Sequence, residues 1–539
     1  MDILRRTFSG AVALAETRVG AIAVFGVALA TWWIQAIAMP LIGGRDFGTY
    51  LGAFVELFQS DPIDLGYVLG RTPIASLVTG GLLVPFDGAL AEPVMSLLYA
   101  ASILAWFLVA RTFAGAAGLL AAVLLLVYPS YGILFHELAS DSVYAAGFAG
   151  WSSLAVHVLT RPSTRGFAFL GSGAAALVLI RPVSQALILL ALLVLAVAVR
   201  WRARLLWVVA YVVPVIAVIA VWTLHNGLRF DDYTLARGGK AYVIYRTYLV
   251  DKIVRPDNGP ASRAVARAVA QDLLPHEPYR SYGITLDRFF DAPSPRMLDD
   301  LGSLANRRWG WHSDQAILRD VAFEAIRTHP VTYARGVARS FGEMLQQPLY
   351  RSLGSGGGAP AGSGAGDGLG ETIVVNGKVL PKPSEGEAIP GARESGPTTP
   401  DYSIRTVWTS AYERHLVFDH PGDRQRYDAL HERMDDLATR LPRRGGNSTL
   451  ALRLNQASRW FPPPVLWLLI GIVALAVRRP GRTLALSTPA VAGLLLIALS
   501  AFGLPAVPQY AVPVAPAFAL LMAGALFGAR SFRGRQRSP

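Results

Sequence analysis

Gly43-Gly44-Arg45-Asp46-Phe47-Gly48-Thr49-Tyr50 follows directly on the first long apolar run of the chain. An aspartate in that place has two uses. It can cap a helix that starts at Phe47, a common job for Asp, or its carboxylate can stand free beside the membrane as a general base. If Phe47 to Phe58 is helical, Asp46 and Tyr50 share a face one turn apart. A second polar group is His136-Glu137-Leu138-Ala139-Ser140-Asp141. It reads either as ordinary loop polarity with an Asp near a helix start or as a functional trio, and its spacing matches no metal-binding signature. Arg181 interrupts the apolar stretch ALVLIRPVSQALILL. It is either an arginine snorkelling to the interface or a phosphate partner, since guanidinium matches phosphate oxygens in charge and geometry. Lys240, Tyr242, Tyr245 and Arg246 could add to an anion site, although aromatic and cationic residues are common at membrane interfaces.

The elements that must carry these residues are apolar. Mean hydropathy is +0.38. Hydrophobic residues make up 53% of the chain and charged ones only 16%, against about 25% in a soluble domain. Runs at 19–41, 91–110, 113–134, 139–160, 166–181, 183–200, 204–225, 464–478, 482–503 and 509–529 suit membrane spans of about 17–25 residues. Thr72 to Phe86, broken by Pro73, Gly80, Gly81 and Pro85, reads as a re-entrant or interfacial segment. The first run, preceded by Arg5, Arg6 and Arg18, reads as a retained signal-anchor rather than a cleaved signal. The net charge of +13 does not imply nucleic acid, because the arginines cluster beside apolar runs where topology explains them. The absence of cysteine excludes disulfides, thiolate metal sites and a cysteine nucleophile.

Alternate loops hold Arg111; Arg161 and Arg165; Arg200, Arg202 and Arg204; Arg478, Arg479 and Arg482; and a tail with Arg530, Arg533, Arg535 and Arg537. The opposite loops hold Asp46, Glu56, Asp61, Asp64, Asp87, Glu92, Glu137 and Asp141, with Arg45, Arg71 and Arg181 as their chief cations. This bias predicts both termini in the cytoplasm and the candidate residues on the extracytoplasmic side. The expected fold is an all-α polytopic membrane protein of about ten transmembrane helices with a mostly helical extracytoplasmic insert. The expected organisation is a transmembrane core at 1–226, the insert at 227–460, and C-terminal helices with a basic tail at 461–539. Within the insert, Asp314 to Phe341 reads as two helices meeting at His329-Pro330. The Gly/Ala/Ser/Pro-rich stretch 352–400 reads as a flexible loop.

Four features in this order resemble the GT-C superfamily, membrane glycosyltransferases that use polyprenyl-phosphate-linked sugars, in the broad group of the protein O-mannosyltransferases and lipid A aminoarabinose transferases. They are Asp46 after the first span with Tyr50 one turn on, the acidic element His136-Glu137 through Asp141, Arg181-Pro182 between the fifth and sixth spans, and Gln509-Tyr510-Ala511-Val512-Pro513-Val514-Ala515-Pro516 opening the last. The resemblance covers most of 19–350 and 460–529. It departs from the family in having Arg45-Asp46 where many relatives have paired acids, and Gln509 where Arg often precedes the Tyr.

The resemblance implies an inverting transfer at the plasma membrane, with Asp46 as general base. It implies Arg181, Arg71, Lys240 and Tyr50 around the donor's phosphate and sugar, and Arg45, His136, Glu137 and Asp141 positioning acceptor or sugar. The partners expected are a polyprenyl-phosphate-linked sugar, an envelope acceptor (glycan, lipid or protein) and the lipid bilayer, with no nucleic acid. No cofactor is required; some branches of the superfamily use a divalent metal, and nothing in this sequence calls for one. Chemistry on a lipid-linked donor outside the cell also accounts for the lack of a Gly-rich loop for nucleotide phosphates. Two other readings compete: a transporter or flippase of lipid-linked sugars, and a non-catalytic envelope-assembly partner. The polar residues gather on one face, and no half-repeat is visible, which disfavours transport.

Overall fold

The computed structural model describes residues 2–197, 200–346, 372–391, 398–411, 413–442, 445–458, 460–478, 480, 482–507 and 510–528. Gln509, Arg479, the tail arginines Arg530, Arg533, Arg535 and Arg537, and residues 352–371 and 392–397 of the expected loop lie outside these. Five described helices are long and apolar enough to cross a membrane: Arg18–Ala38, Ala91–Arg111, Ser140–Thr160, Trp201–Phe230 and Thr483–Gly503. The other apolar runs form shorter helices, among them Gly115–Val127, Thr164–Ile180, Pro464–Arg478 and Pro516–Phe527. A 13-residue helix such as Gly115–Val127 is about 20 Å long, less than the ~30 Å hydrocarbon layer. The protein is an all-α membrane protein whose main core runs through these helices, with Trp32, Tyr99, Trp106, Phe148 and Phe518 fully buried in it. The outward faces are apolar, as a lipid solvent requires: Val209, Val213, Ile216 and Val221 of Trp201–Phe230 are all exposed.

Helix ends obey residue chemistry. Thr17 and Ser163 cap their helices by accepting from Gly20 and Gly166 N–H groups. Pro182 disfavours helical backbone at the residue before it, so Arg181 is extended (φ −145°, ψ 118°) and terminates Thr164–Ile180. The chain resumes as a 3₁₀ helix over Pro182–Leu190. The Arg-Pro step thereby puts a guanidinium at the C-terminal end of that helix.

The first loop folds into three short helices, Phe47–Leu57, Leu65–Leu69 and Pro73–Leu83. The last has 11 residues and, at about 16 Å, is too short to span. A two-residue parallel pair, Ile42–Gly43 with Glu137–Leu138, ties the first loop to the second. Ile42 N–H donates to His136 (3.0 Å) and Gly44 N–H to Leu138 (3.2 Å).

The insert has its own hydrophobic core, built on Tyr248, Val269, Phe289, Met297, Ala322 and neighbours. Ala316–Thr328 and Pro330–Gln346 are the two helices expected either side of His329-Pro330. The insert is not wholly helical. Thr372–Val375 and Lys378–Pro381 form a hairpin, as do Ile404–Trp408 and Arg414–Phe418. The first lies within the stretch 352–400 that the sequence reads as a flexible loop. Asn376-Gly377 supplies the two positive-φ residues of a tight turn (49° and 75°), and Leu380, Ala388 and Ile389 are buried in the insert core. The helix Asp423–Thr439 turns back to the bundle, where Leu430, Met434 and Leu437 join the main core.

Candidate active site at the insert end of the bundle

Asp46 holds a left-handed backbone (φ 59°, ψ 18°) at the first residue before Phe47–Leu57. Aspartate tolerates that conformation better than most residues, at a cost of about 1–2 kcal/mol. Its carbonyl accepts the first helical N–H, from Tyr50, at 3.0 Å. Its carboxylate makes no cap. The capping reading is therefore true of the backbone and false of the side chain. The carboxylate instead meets Arg71, with Nη2 to Oδ2 at 2.9 Å, and both side chains are substantially exposed (42% and 37%). Arg71 stands between Leu65–Leu69 and Pro73–Leu83, and its guanidinium lies 5.9 Å from the Tyr50 ring centroid. Tyr50 itself is buried against Ala75 and Ala139.

Arg181 is the second cation. It reaches Ser140 Oγ through Nε (3.3 Å) and Nη2 (3.2 Å), and Nη2 pairs with Asp141. Here Asp141 is buried, at 4% exposure, and Arg181 is mostly covered, at 13%. The guanidinium is flanked by Tyr144 at 5.2 Å and Tyr510 at 5.8 Å. Tyr144 stands one helical turn after Asp141, where the i, i+3 relation puts the two on one face, and Ser184 donates to its hydroxyl at 3.0 Å.

Tyr510 joins the two pairs, lying within electrostatic reach of Arg181, Arg45, Asp46 and Arg71. Tyr242 comes in from the insert and lies within reach of Tyr510 and Arg181. Its ring occupies the space where a side chain at Gly503 would be: a Cβ there would fall 2.0 Å from a ring carbon. The assembly is an exposed carboxylate with three arginines and a wall of tyrosines, drawn from five separate stretches of chain.

The other expected residues divide. Glu137 is buried beneath the first loop, with its Oε2 3.0 Å from where a Cβ on Gly44 would sit. Arg45 is exposed beside Asp46. His136, expected to position acceptor or sugar, is enclosed by packing. It is 1% exposed and stacks on Trp32 with ring centroids 4.5 Å apart. Desolvation by burial pushes its pKa down to about 3, so the ring is neutral. Lys240 turns to the insert, with Nζ 3.9 Å from Asp314. Arg246 is buried and bidentate on Asp251, and donates to the Ala501 and Leu504 carbonyls at the end of Thr483–Gly503. It fastens insert to bundle. Tyr245 packs against the insert core. Among the described residues, no three His, Asp or Glu side chains gather as a metal site.

Tyr144 and Ser140 are site residues that spacing alone does not single out; the helical offset from Asp141 is the available signal for Tyr144. The strand pair that sets Glu137 beside Gly44 has none, because two residues make no pattern.

No family model matches the chain, and no curated protein matches it. A solved structure to which it is similar is that of ArnT from Cupriavidus metallidurans bound to undecaprenyl phosphate, at 14% identity over 94% of this chain and 77% of that chain, with a TM-score of 0.33. That likeness is too distant to assign residues.

Proposed function

We propose that this protein is an inverting glycosyltransferase of the plasma membrane that moves a sugar from a polyprenyl-phosphate donor to an extracytoplasmic acceptor, with Asp46 as general base. One observation carries the reading. The Asp46 carboxylate is withheld from the helix it begins, held at the surface by a left-handed backbone, and set beside Arg71 within a cluster of cations. Strained, exposed charge kept out of structural use is what a reactive group needs. The arginine bias of the opposite loops supports an extracytoplasmic face for it.

In the reaction, Asp46 takes the proton of an acceptor hydroxyl or amine as that atom attacks the anomeric carbon from the face opposite the phosphate. The bond between the anomeric carbon and the phosphate oxygen breaks with its electron pair going to oxygen, and polyprenyl phosphate leaves. The configuration inverts. Charge grows on the phosphate, and positive groups placed there lower the barrier. Arg71 and Arg45 are exposed enough to touch it. Arg181 is already paired with Asp141, which offsets its charge, and its guanidinium stands beside the Tyr510 ring. Contact between a ligand phosphate and Arg71 loosens the Asp46–Arg71 pair, so donor binding frees the base.

The test is Asp46→Asn in nanodiscs, with donor identified by mass spectrometry of the lipid-linked sugars that accumulate in a deletion strain. Transfer is expected to fall about 10²–10⁴-fold, the usual worth of a general base, with donor binding and melting temperature retained. Undiminished transfer removes Asp46 as base. Movement of lipid-linked sugar across the bilayer without transfer replaces the enzyme with a flippase.

A further inference from the structure

Arg71 is the cation paired with Asp46, yet it sits on a short piece of chain between a five-residue helix and Pro73. Such a piece has little structure of its own to hold it. From its contacts we infer that Arg237, a residue of the insert with no place among the reacting groups, is the positioning residue that holds Arg71. The inference takes from the proposed function only that Arg71 grips the donor's phosphate.

Arg237 touches the Arg71 segment through its backbone. Its N–H donates to the Leu69 carbonyl at 2.7 Å, two residues before Arg71. Its own position is over-determined. Nη1 pairs with Asp232, with side-chain exposures of 6% and 2%. Nη2 donates to Asn306 Oδ1 at 3.0 Å and to the Trp311 carbonyl at 2.8 Å. The guanidinium lies 3.3 Å from the Trp311 ring centroid. The next residue, Gly238, donates its N–H to Asp314 at 2.8 Å. Trp311 is in turn the floor on which Leu65, Val68 and Leu69 pack, together with Phe230 at the end of Trp201–Phe230. One residue downstream of Leu69, the Gly70 carbonyl accepts from Arg71 Nη1 at 3.2 Å. The chain of fixed groups thus runs from a buried guanidinium fork, through one backbone bond and one apolar face, to the arginine paired with Asp46. Arginine suits the node because only its planar fork supplies two directed donors and a face for Trp311 at once. A lysine keeps charge and backbone N–H and loses both of these.

The experiment measures binding of undecaprenyl phosphate to the full-length protein in zwitterionic nanodiscs for wild type, Arg71→Ala, Arg237→Lys and the double variant, with hydrogen exchange on each. Arg237→Lys is expected to weaken binding about tenfold, the scale of one charged hydrogen bond misplaced, and to speed exchange at 65–71 while leaving Ala91–Arg111 unchanged. Once Arg71 is removed, Arg237→Lys is expected to cost less than about twofold more, because a positioning residue has nothing left to position. Losses that multiply in the double variant, or unchanged exchange at 65–71, overturn the role of Arg237. If Arg71→Ala binds as wild type, the phosphate role of Arg71 fails instead, and the exchange at 65–71 still decides whether Arg237 holds the segment. Should Arg237→Lys lower the yield of folded protein, Asn306→Ala removes one bond of the node and is read by the same two measurements.

Discussion

Asp46–Arg71 and Asp141–Arg181 are the same ion pair in two settings. The first is open to water on both sides, at the ends of short helices in the first loop; the second is enclosed by Ser140, Tyr144 and Tyr510 where Ser140–Thr160 begins and Thr164–Ile180 ends. An exposed pair contributes about 0–1 kcal/mol and is readily exchanged for another partner. A buried pair adds little net stability, but removing one partner strands a charge at a cost of about 3–5 kcal/mol. On the proposed function, the open pair is the one that meets ligands and reacts, while the closed pair holds two helix ends together.

The sharpest way to break this comparison is to neutralise each aspartate in turn. Asp46→Asn is expected to remove about 3–5 kcal/mol of transition-state stabilisation, read as the loss of transfer already described, with little change in melting temperature. Asp141→Ala should do the reverse in kind: it leaves the mostly covered Arg181 without that carboxylate and lowers stability by about 3–5 kcal/mol, read as a drop in detergent melting temperature. If Asp141→Ala melts as wild type, the enclosed pair is not structural and the division of labour fails.

A third carboxylate sharpens the contrast. Glu56 lies on the same helix as Tyr50 but is buried, and accepts from Asp64 N–H at 3.4 Å. Desolvation pushes its pKa up to about 7, and that of the neighbouring Asp64 to about 6 although Asp64 accepts from Thr398 and Gly66 N–H groups. The folded state thus favours the protonated form of Glu56. That contribution is fully present below its unfolded pKa of about 4.3 and is lost as pH rises through about 7, for a total on the order of 3 kcal/mol. Glu56→Gln should flatten melting temperature against pH across that window, and an unchanged slope would assign it elsewhere. The smallest effect belongs to Arg71→Ala on stability, expected within about 1 kcal/mol of wild type by thermal melting; a larger loss would make the open pair structural too.

Much of this was legible in the residues. The apolar runs announce the spans, because twenty apolar residues in a row have only lipid as a solvent. Arg181-Pro182 announces a helix end with a cation on it, and His329-Pro330 a joint between helices. Asn376-Gly377 was equally legible as a hairpin turn, but the Gly/Ser-rich surroundings concealed it. His136 stands next to Glu137 in sequence and both are buried, His136 stacked on Trp32 and Glu137 beneath the first loop, which no short stretch of sequence shows. Lys240 and Arg246 come after the seventh span as closely as Tyr242 does, yet only Tyr242 reaches the cluster around Arg181.

Composition and local spacing, then, determined by themselves that this chain lies in a membrane and where its polar residues interrupt it, since hydropathy, proline geometry and helix periodicity act over a few residues. Only the tertiary structure decided which aspartate is open and which is enclosed, and that an arginine far along the chain steadies the segment holding Arg71. Burial and long-range contact depend on the assembled helices, and no short stretch of sequence contains them.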